Sequence, residues 1–174
     1  MRIGVSEKRF LSVRCAMNEL EYKKANTLAS RSVSDTEEIG KQVAHALISD
    51  AHAPRFIALY GDLGVGKTAF IRGFTSEIVP TAKVKSPTFA LVNEYKGKPL
   101  SVFHFDMYRI TDEDELWSIG FYDYLDRKGI CLVEWSENIP FAIPDRYLKV
   151  EIIKDDISAP DSRLINITPV GIDL

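Results

Sequence analysis

The run Gly61-Asp62-Leu63-Gly64-Val65-Gly66-Lys67-Thr68 fits G-x-x-x-x-G-K-[ST] and restricts this chain to few folds. Glycines at these spacings allow backbone angles and close approaches that a Cβ forbids. Successive N–H groups of such a loop converge on phosphate oxygens, and a helix beginning at its end adds a partial positive charge. The flanks agree. Phe56-Ile-Ala-Leu-Tyr60 is a near-continuous apolar run, the pattern of a buried parallel strand. A helix is expected from about Lys67 to Val79. Strand, loop and helix in that order form the context in which the motif carries meaning. The alternative is a glycine-rich turn with an exposed lysine.

The remaining pattern alternates strands with helices. Tyr22 to Ala29 reads as a short edge strand. Ser34-Asp-Thr-Glu37 is a capping-box pattern opening a helix with Ile39, Val43, Ala46 and Leu47 on one face. Ser86-Pro-Thr-Phe89 is a turn into an extended stretch, Ala90 to Tyr95, and Gly97 marks a hairpin into Leu100 to Asp106. In that strand Phe103 and Phe105 point one way, and His104 and Asp106 share the other face. Thr111 to Glu115 is an acid-rich helix start, Gly120 a break, and Phe121 to Arg127 a second helical piece. Ile130-Cys-Leu-Val133 is another buried strand, closed by Glu134 and Trp135. Tyr147 to Ile153 and Arg163 to Thr168 form a hairpin across the loop 155–162. The expected fold is a P-loop NTPase-like three-layer α/β/α arrangement with a mixed, mostly parallel sheet and antiparallel hairpins.

With 174 residues, 45% hydrophobic and 27% charged, the chain suits one compact domain. No apolar run approaches the roughly 20 residues of a membrane span. A formal charge of -3 argues against tight, purely electrostatic binding to nucleic acid, while leaving room for RNA reached through a partner or a local patch. Cys15 and Cys131 stand far apart without a CxxC, which suits a reducing, cytosolic compartment with no disulfide or zinc site. In the first 16 residues Arg2, Lys8, Arg9 and Arg14 face a single acid, Glu7. Residues 1–16 are read as a disordered extension, with Met17 as a possible functional start and a transit peptide as the weaker alternative. Residues 17–174 are read as the domain.

A nucleotide hydrolase also needs carboxylates at the ends of neighbouring strands. Glu134 follows four apolar residues and is the candidate for holding magnesium or its waters. Asp106 is the candidate for orienting or deprotonating an attacking water, or for binding magnesium through water. Lys67 would reach the β- and γ-phosphates, and Thr68 would ligate magnesium. Ser86 and Thr88 sit where a switch segment would sit, with a simple turn as the alternative. Arg109 would complete a charge network with Asp106 and the phosphates, or make a surface ion pair. His104 reads equally as a structural or a functional residue. Trp117, Phe121, Tyr122 and Tyr124 read as core or interface aromatics. No N-K-x-D specifies guanine. The arginines after the first helix are scattered singly, without the clustering of a kinase lid.

Taken together, Gly61 to Thr68, Ser86-Pro-Thr-Phe89, His104-Phe-Asp-Met-Tyr-Arg109, Glu115-Leu-Trp-Ser-Ile-Gly120 and Val133-Glu-Trp-Ser-Glu137 resemble the TsaE (YjeE) family in order and spacing. Val65 replaces the small residue usual there. The resemblance implies a cytoplasmic ATPase using ATP and Mg2+, needed for threonylcarbamoyladenosine at position 37 of tRNA. It implies the protein partners TsaB and TsaD, contact with tRNA only through that complex, and a monomer when free. It places ATP on Gly61, Asp62, Leu63, Gly64, Val65, Gly66, Lys67, Thr68 and Ala69, with Ser86 and Thr88 in the first switch and His104 to Arg109 in the second. It assigns magnesium to Thr68 and Glu134, and catalysis to Asp106 with Lys67 and Glu134. Thr36, Trp135 and Arg163 would border the adenine. The competing readings are a small-molecule P-loop kinase and a non-hydrolysing, nucleotide-dependent assembly factor.

Overall fold

The computed structural model describes residues 21–156 and 159–172. The expected extension at 1–16, Met17 and Cys15 lie outside the described residues. The elements are β1 (Asn26–Ser30), α1 (Val33–Ile48), β2 (Phe56–Tyr60), α2 (Lys67–Ile78), β3 (Val92–Tyr95), β4 (Ser101–Asp106), α3 (Glu113–Ser118), α4 (Phe121–Asp126), β5 (Gly129–Glu134), β6 (Tyr147–Asp156) and β7 (Ala159–Val170). The strands form one sheet in the order β1-β7-β6-β2-β5-β4-β3. The pairings β6–β2, β2–β5 and β5–β4 are parallel, while β1–β7, β7–β6 and β4–β3 are antiparallel. Only β3 and β7 therefore run against the other strands.

Strand periodicity divides the apolar side chains between two cores. In β2, Ile57 and Leu59 join a core with α1 and α2, whereas Phe56 and Ala58 join the core under α3 and α4. In β5, Ile130 and Leu132 face the first core; Cys131 and Val133 face the second. Every residue of β5 is buried, as a central strand covered on both faces requires. These two cores make the three layers. Burial pushes the Cys131 thiol up to about 12, so it is an inert part of the second core.

Several boundaries differ from those read in the sequence. The N-cap of α1 is Ser32, not Ser34. The Ser32 side chain accepts from Asp35 N at 3.0 Å, and Asp35 Oδ2 accepts from Arg31 N at 2.9 Å. The Ser-x-x-acid signal occurs twice, two residues apart, and the upstream copy wins. Glu37, expected to close the box, instead pairs with Arg72 of α2. Ala46 is only half-buried, and Gly40 and Ala44 occupy the buried stripe instead. The last hairpin is longer than expected, pairing out to Asp156 and Ala159, so most of the supposed loop at 155–162 is strand.

Two glycines set the distance between α1 and α2. A Cβ on Gly73 would lie 1.8 Å from the Glu37 carbonyl oxygen, and one on Gly40 would lie 2.1 Å from the Phe70 carbonyl oxygen. Both obstacles are backbone, which cannot rotate aside. Gly73→Ala should therefore force the helices apart and destabilise the fold by about 3 kcal/mol, a strong overpacking effect. A urea midpoint unchanged from the parent would show that the helices separate without strain.

Candidate functional site

The site follows from strand parity and register. In β4 the residues Val102, His104 and Asp106 alternate with Phe103 and Phe105; in β5 Ile130, Leu132 and Glu134 alternate with Cys131 and Val133. Asp106 pairs in register with Glu134, and His104 with Leu132. Val102, Ile130 and Leu132 belong to the α1/α2 core. His104, Asp106 and Glu134 therefore face α2, at the end of the sheet where the loop between β2 and α2 emerges.

That loop is held open by glycine geometry. Gly61 has φ +127°, and a Cβ there would lie 2.3 Å from the Ile152 carbonyl oxygen, so β6 packs directly on the loop. Gly66, at φ +114°, caps α2 without a side-chain hydrogen bond. The first turn of α2 carries no acid. Its orphan N–H groups and its dipole are thus left for an anion. Around the concavity Asp62, Leu63 and Gly64 are exposed, whereas Val65, Lys67 and Ala69 are buried.

Lys67 folds back over its own loop. Its Nζ donates to the Gly61 carbonyl at 2.5 Å and the Asp62 carbonyl at 3.0 Å. It also sits 3.8 Å from the centroid of the Trp135 ring. Burial lowers the Lys67 pKa from its ordinary value, and nearby Glu134, Glu137, Asp106 and Asp62 offset only part of that. A phosphate would supply the missing anionic partner.

Thr68 Oγ1 donates to Glu134 Oε1 at 2.8 Å. The same oxygen lies 2.8 Å from His104 Nε2, with His104 wholly buried. A carboxylate only accepts, so Nε2 carries the hydrogen. His104 is thus a hydrogen-bond donor to Glu134. Thr68 and Glu134 form the hard-oxygen pair that suits magnesium shared with phosphates and water, a cation not caged by protein alone. The uncapped, acid-free start of α2 beside them suits the phosphates.

Asp106 is held from three sides. Ser86 Oγ and Thr88 Oγ1 donate to its Oδ2 at 2.9 and 3.0 Å, and its Oδ1 accepts from Tyr108 N at 3.1 Å. Ser86 and Thr88 are thus brought to the site through Asp106. Met107 N donates to the Glu134 carbonyl at 3.0 Å. Asn138, missed in the sequence, clamps the same turn by donating to the carbonyls of Met107 at 2.9 Å and Tyr108 at 3.2 Å. No local pattern marks it, since its partners lie about thirty residues away.

Arg109 does not join the cluster. Its guanidinium stacks 5.1 Å from the Phe89 ring. Among the described residues it makes no ion pair with Asp106. Trp117, expected in a core or interface, is 62% exposed. Phe121 is core, and Tyr122 and Tyr124 pack against it half-buried. Arg163 Nε donates to the Val65 carbonyl at 2.8 Å, so the last hairpin braces the loop. Thr36 is buried, its hydroxyl 2.7 Å from Ser30 Oγ, with its methyl below Gly66. Thr36 lies beside the loop at Gly66 and Arg163 at Val65, while Trp135, expected with them at the adenine, instead lies over Lys67.

Comparison with known proteins reads the same way. Residues 30–164 match the family described as "Threonylcarbamoyl adenosine biosynthesis protein TsaE". A Haemophilus influenzae protein named tRNA threonylcarbamoyladenosine biosynthesis protein TsaE is 41% identical over 115 residues, 65% of this chain and 72% of that one. The Bacillus subtilis protein of that name is 37% identical over 131 residues, covering 75% and 80%. The Rickettsia bellii protein is 34% identical over 143 residues, covering 81% and 96%. The crystal structure of Bacillus subtilis YdiB superposes with a TM-score of 0.66 at 29% identity, over 85% of this chain and 87% of that one. A P-loop-like α/β fold and a family match over most of its length place this chain in the TsaE family, and with it in tRNA threonylcarbamoyladenosine biosynthesis.

Proposed function

We propose that the chain binds and hydrolyses ATP with Mg2+, as the ATP-driven subunit of a tRNA-modifying assembly with TsaB and TsaD in the cytoplasm. The observation that carries this reading is the gathering of Lys67, Thr68, Asp106 and Glu134 at the end of the sheet where the glycine loop emerges. The loop amides and the start of α2 bind the phosphates. Lys67 leaves the Gly61 and Asp62 carbonyls for the β- and γ-phosphates. Thr68 and Glu134 hold magnesium, which when bound neutralises phosphate charge and polarises the bond to be broken. His104 keeps Glu134 oriented. Asp106, fixed by Ser86, Thr88 and the Tyr108 amide, orients the attacking water and accepts its proton. Thr36 and Arg163, beside the loop at Gly66 and Val65, border the adenine, whereas Trp135, stacked over Lys67, faces the phosphates instead.

The decisive assay measures ATP hydrolysis alone, then with TsaB and TsaD. Stimulation by the partners is expected. Phosphate transfer to a small hydroxyl compound without stimulation would instead indicate a kinase, and binding without turnover in any mixture would indicate an assembly factor.

Lys67→Ala should weaken ATP binding by about 1.5–3 kcal/mol, the worth of a charge-assisted contact. Calorimetry showing unchanged affinity would contradict the loop assignment. Since burial lowers the Lys67 pKa, ATP affinity should fall as pH rises through that lowered value, below the ordinary 10.5. Lys67→Ala should lose this alkaline dependence. Glu134→Ala should retain the fold and ATP binding but lose turnover; normal hydrolysis would remove Glu134 from the site.

Withdrawal of Lys67 from the Trp135 ring should change the tryptophan emission on ATP binding. The chain has two tryptophans, so Trp117→Phe should preserve the change and Trp135→Phe should abolish it. A signal that follows Trp117 would place the response outside the site.

A further inference from the structure

The two ends of the sheet differ in their balance of charge. At the end that bears the site, Asp62, Asp106, Glu134 and Glu137 surround Lys67, and Glu113, Asp114 and Glu115 open α3. The opposite rim, where β2, β4, β5 and β6 begin, carries a basic stretch from the β3–β4 hairpin to β2, flanked before β6 by exposed Asp145 and Arg146. Arg55 immediately precedes β2, and its carbonyl accepts from Cys131 N at 2.8 Å. Lys128 immediately precedes β5, and its carbonyl accepts from Ser101 N at the start of β4. Lys96 and Lys98 lie in the hairpin joining β3 to β4. Lys85 is tied to the same corner: its N donates to Tyr95 Oη at 3.3 Å and its carbonyl accepts from Asn93 Nδ2 at 3.0 Å. Lys83 stands two residues before it, on the other side of buried Val84.

All six cations are exposed. None makes an ion pair among the described residues. The neighbouring Arg127, by contrast, is neutralised by Glu94 at 2.5 Å. Asp126, at the end of α4, is the exposed acid closest to them in sequence, two residues before Lys128. The row spans the ends of four adjacent strands, roughly 15 Å at about 4.8 Å per strand. In a chain of formal charge -3, such segregation creates a local positive field on an otherwise acidic molecule. Five of the six are lysines, flexible point charges that suit phosphate backbone contacts more than planar, bidentate base reading.

We propose that this rim binds the phosphate backbone of tRNA directly. The occupant is chosen by charge complementarity and by membership of a family named for tRNA modification. The acidic rim around the nucleotide site repels RNA, so the RNA lies at the far end of the sheet and leaves the site free for ATP. The proposal does not depend on ATP hydrolysis and is tested without nucleotide.

The experiment measures fluorescence anisotropy of a labelled, unmodified tRNA transcript with the full-length protein across a salt series. Four to six phosphate contacts predict a slope of log affinity against log salt of about -3 to -5. The double variant K96E/K98E should weaken binding at least tenfold and flatten that slope, with its urea midpoint and ATP affinity unchanged. A variant with Arg2, Lys8, Arg9 and Arg14 changed to Gln should keep binding that still depends on Lys96 and Lys98. Absence of tRNA binding at low salt would overturn the proposal. So would binding that survives K96E/K98E and disappears with the N-terminal change. If K96E/K98E spares tRNA binding but weakens association with TsaB and TsaD, the rim is a contact for an acidic protein face and the proposal fails.

Discussion

One carboxylate oxygen ties the site together. Glu134 Oε1 accepts from Thr68 on α2 and sits against His104 on β4, so a single atom joins the phosphate-loop helix to two strands. A carboxylate this deeply buried is costly unless its hydrogen bonds are made. The register of β4 against β5 is therefore fixed by chemistry as well as by packing. A one-residue slip of β4 would turn His104 and Asp106, and one of β5 would turn Glu134, into the second core, where Phe105 packs edge to face on Phe121 and Phe103 on Tyr124.

The carbonyls of the loop are already satisfied, while its amides are left for an anion. Lys67 fills the Gly61 and Asp62 carbonyls, Arg163 takes the Val65 carbonyl, and Asp106 takes the hydroxyls of Ser86 and Thr88. A ligand there would have to exchange these contacts. Thr68 is bonded to Glu134, and Ser86 and Thr88 to Asp106, its in-register neighbour.

Much of this was legible in the sequence because it is written in local periods. The apolar run of β2, the glycine spacing after it and the two-residue alternation of β4 each fix a fold element within a few residues. The family resemblance in the spacing of the motifs identified the biological role. What escaped depends on contacts between distant segments. Ser32 and Ser34 offer the same cap signal, and only the entry of the chain from β1 decides between them. Arg109 sits three residues beyond Asp106 but finds an aromatic face in Phe89. Asn138 has no marked neighbours and becomes important only once Met107 and Tyr108 arrive beside it. Arg163 reaches Val65 only because β7 lies beyond β6 in the strand order.

The glycine contacts between α1 and α2 have a mechanical meaning. Backbone lies against backbone at Gly40 and Gly73, with no side chain between to bend or change rotamer. The two helices act as one stiff beam. Whatever moves Lys67 and Thr68 at the start of α2 must move Thr36 and Ser32 at the start of α1 with them. The compliant parts of the molecule are then the segments around Thr88 and Tyr108, held by side-chain hydrogen bonds that can be remade one at a time. Any displacement of the two helices would be taken up there, at a surface where Phe89 and Tyr108 face outward.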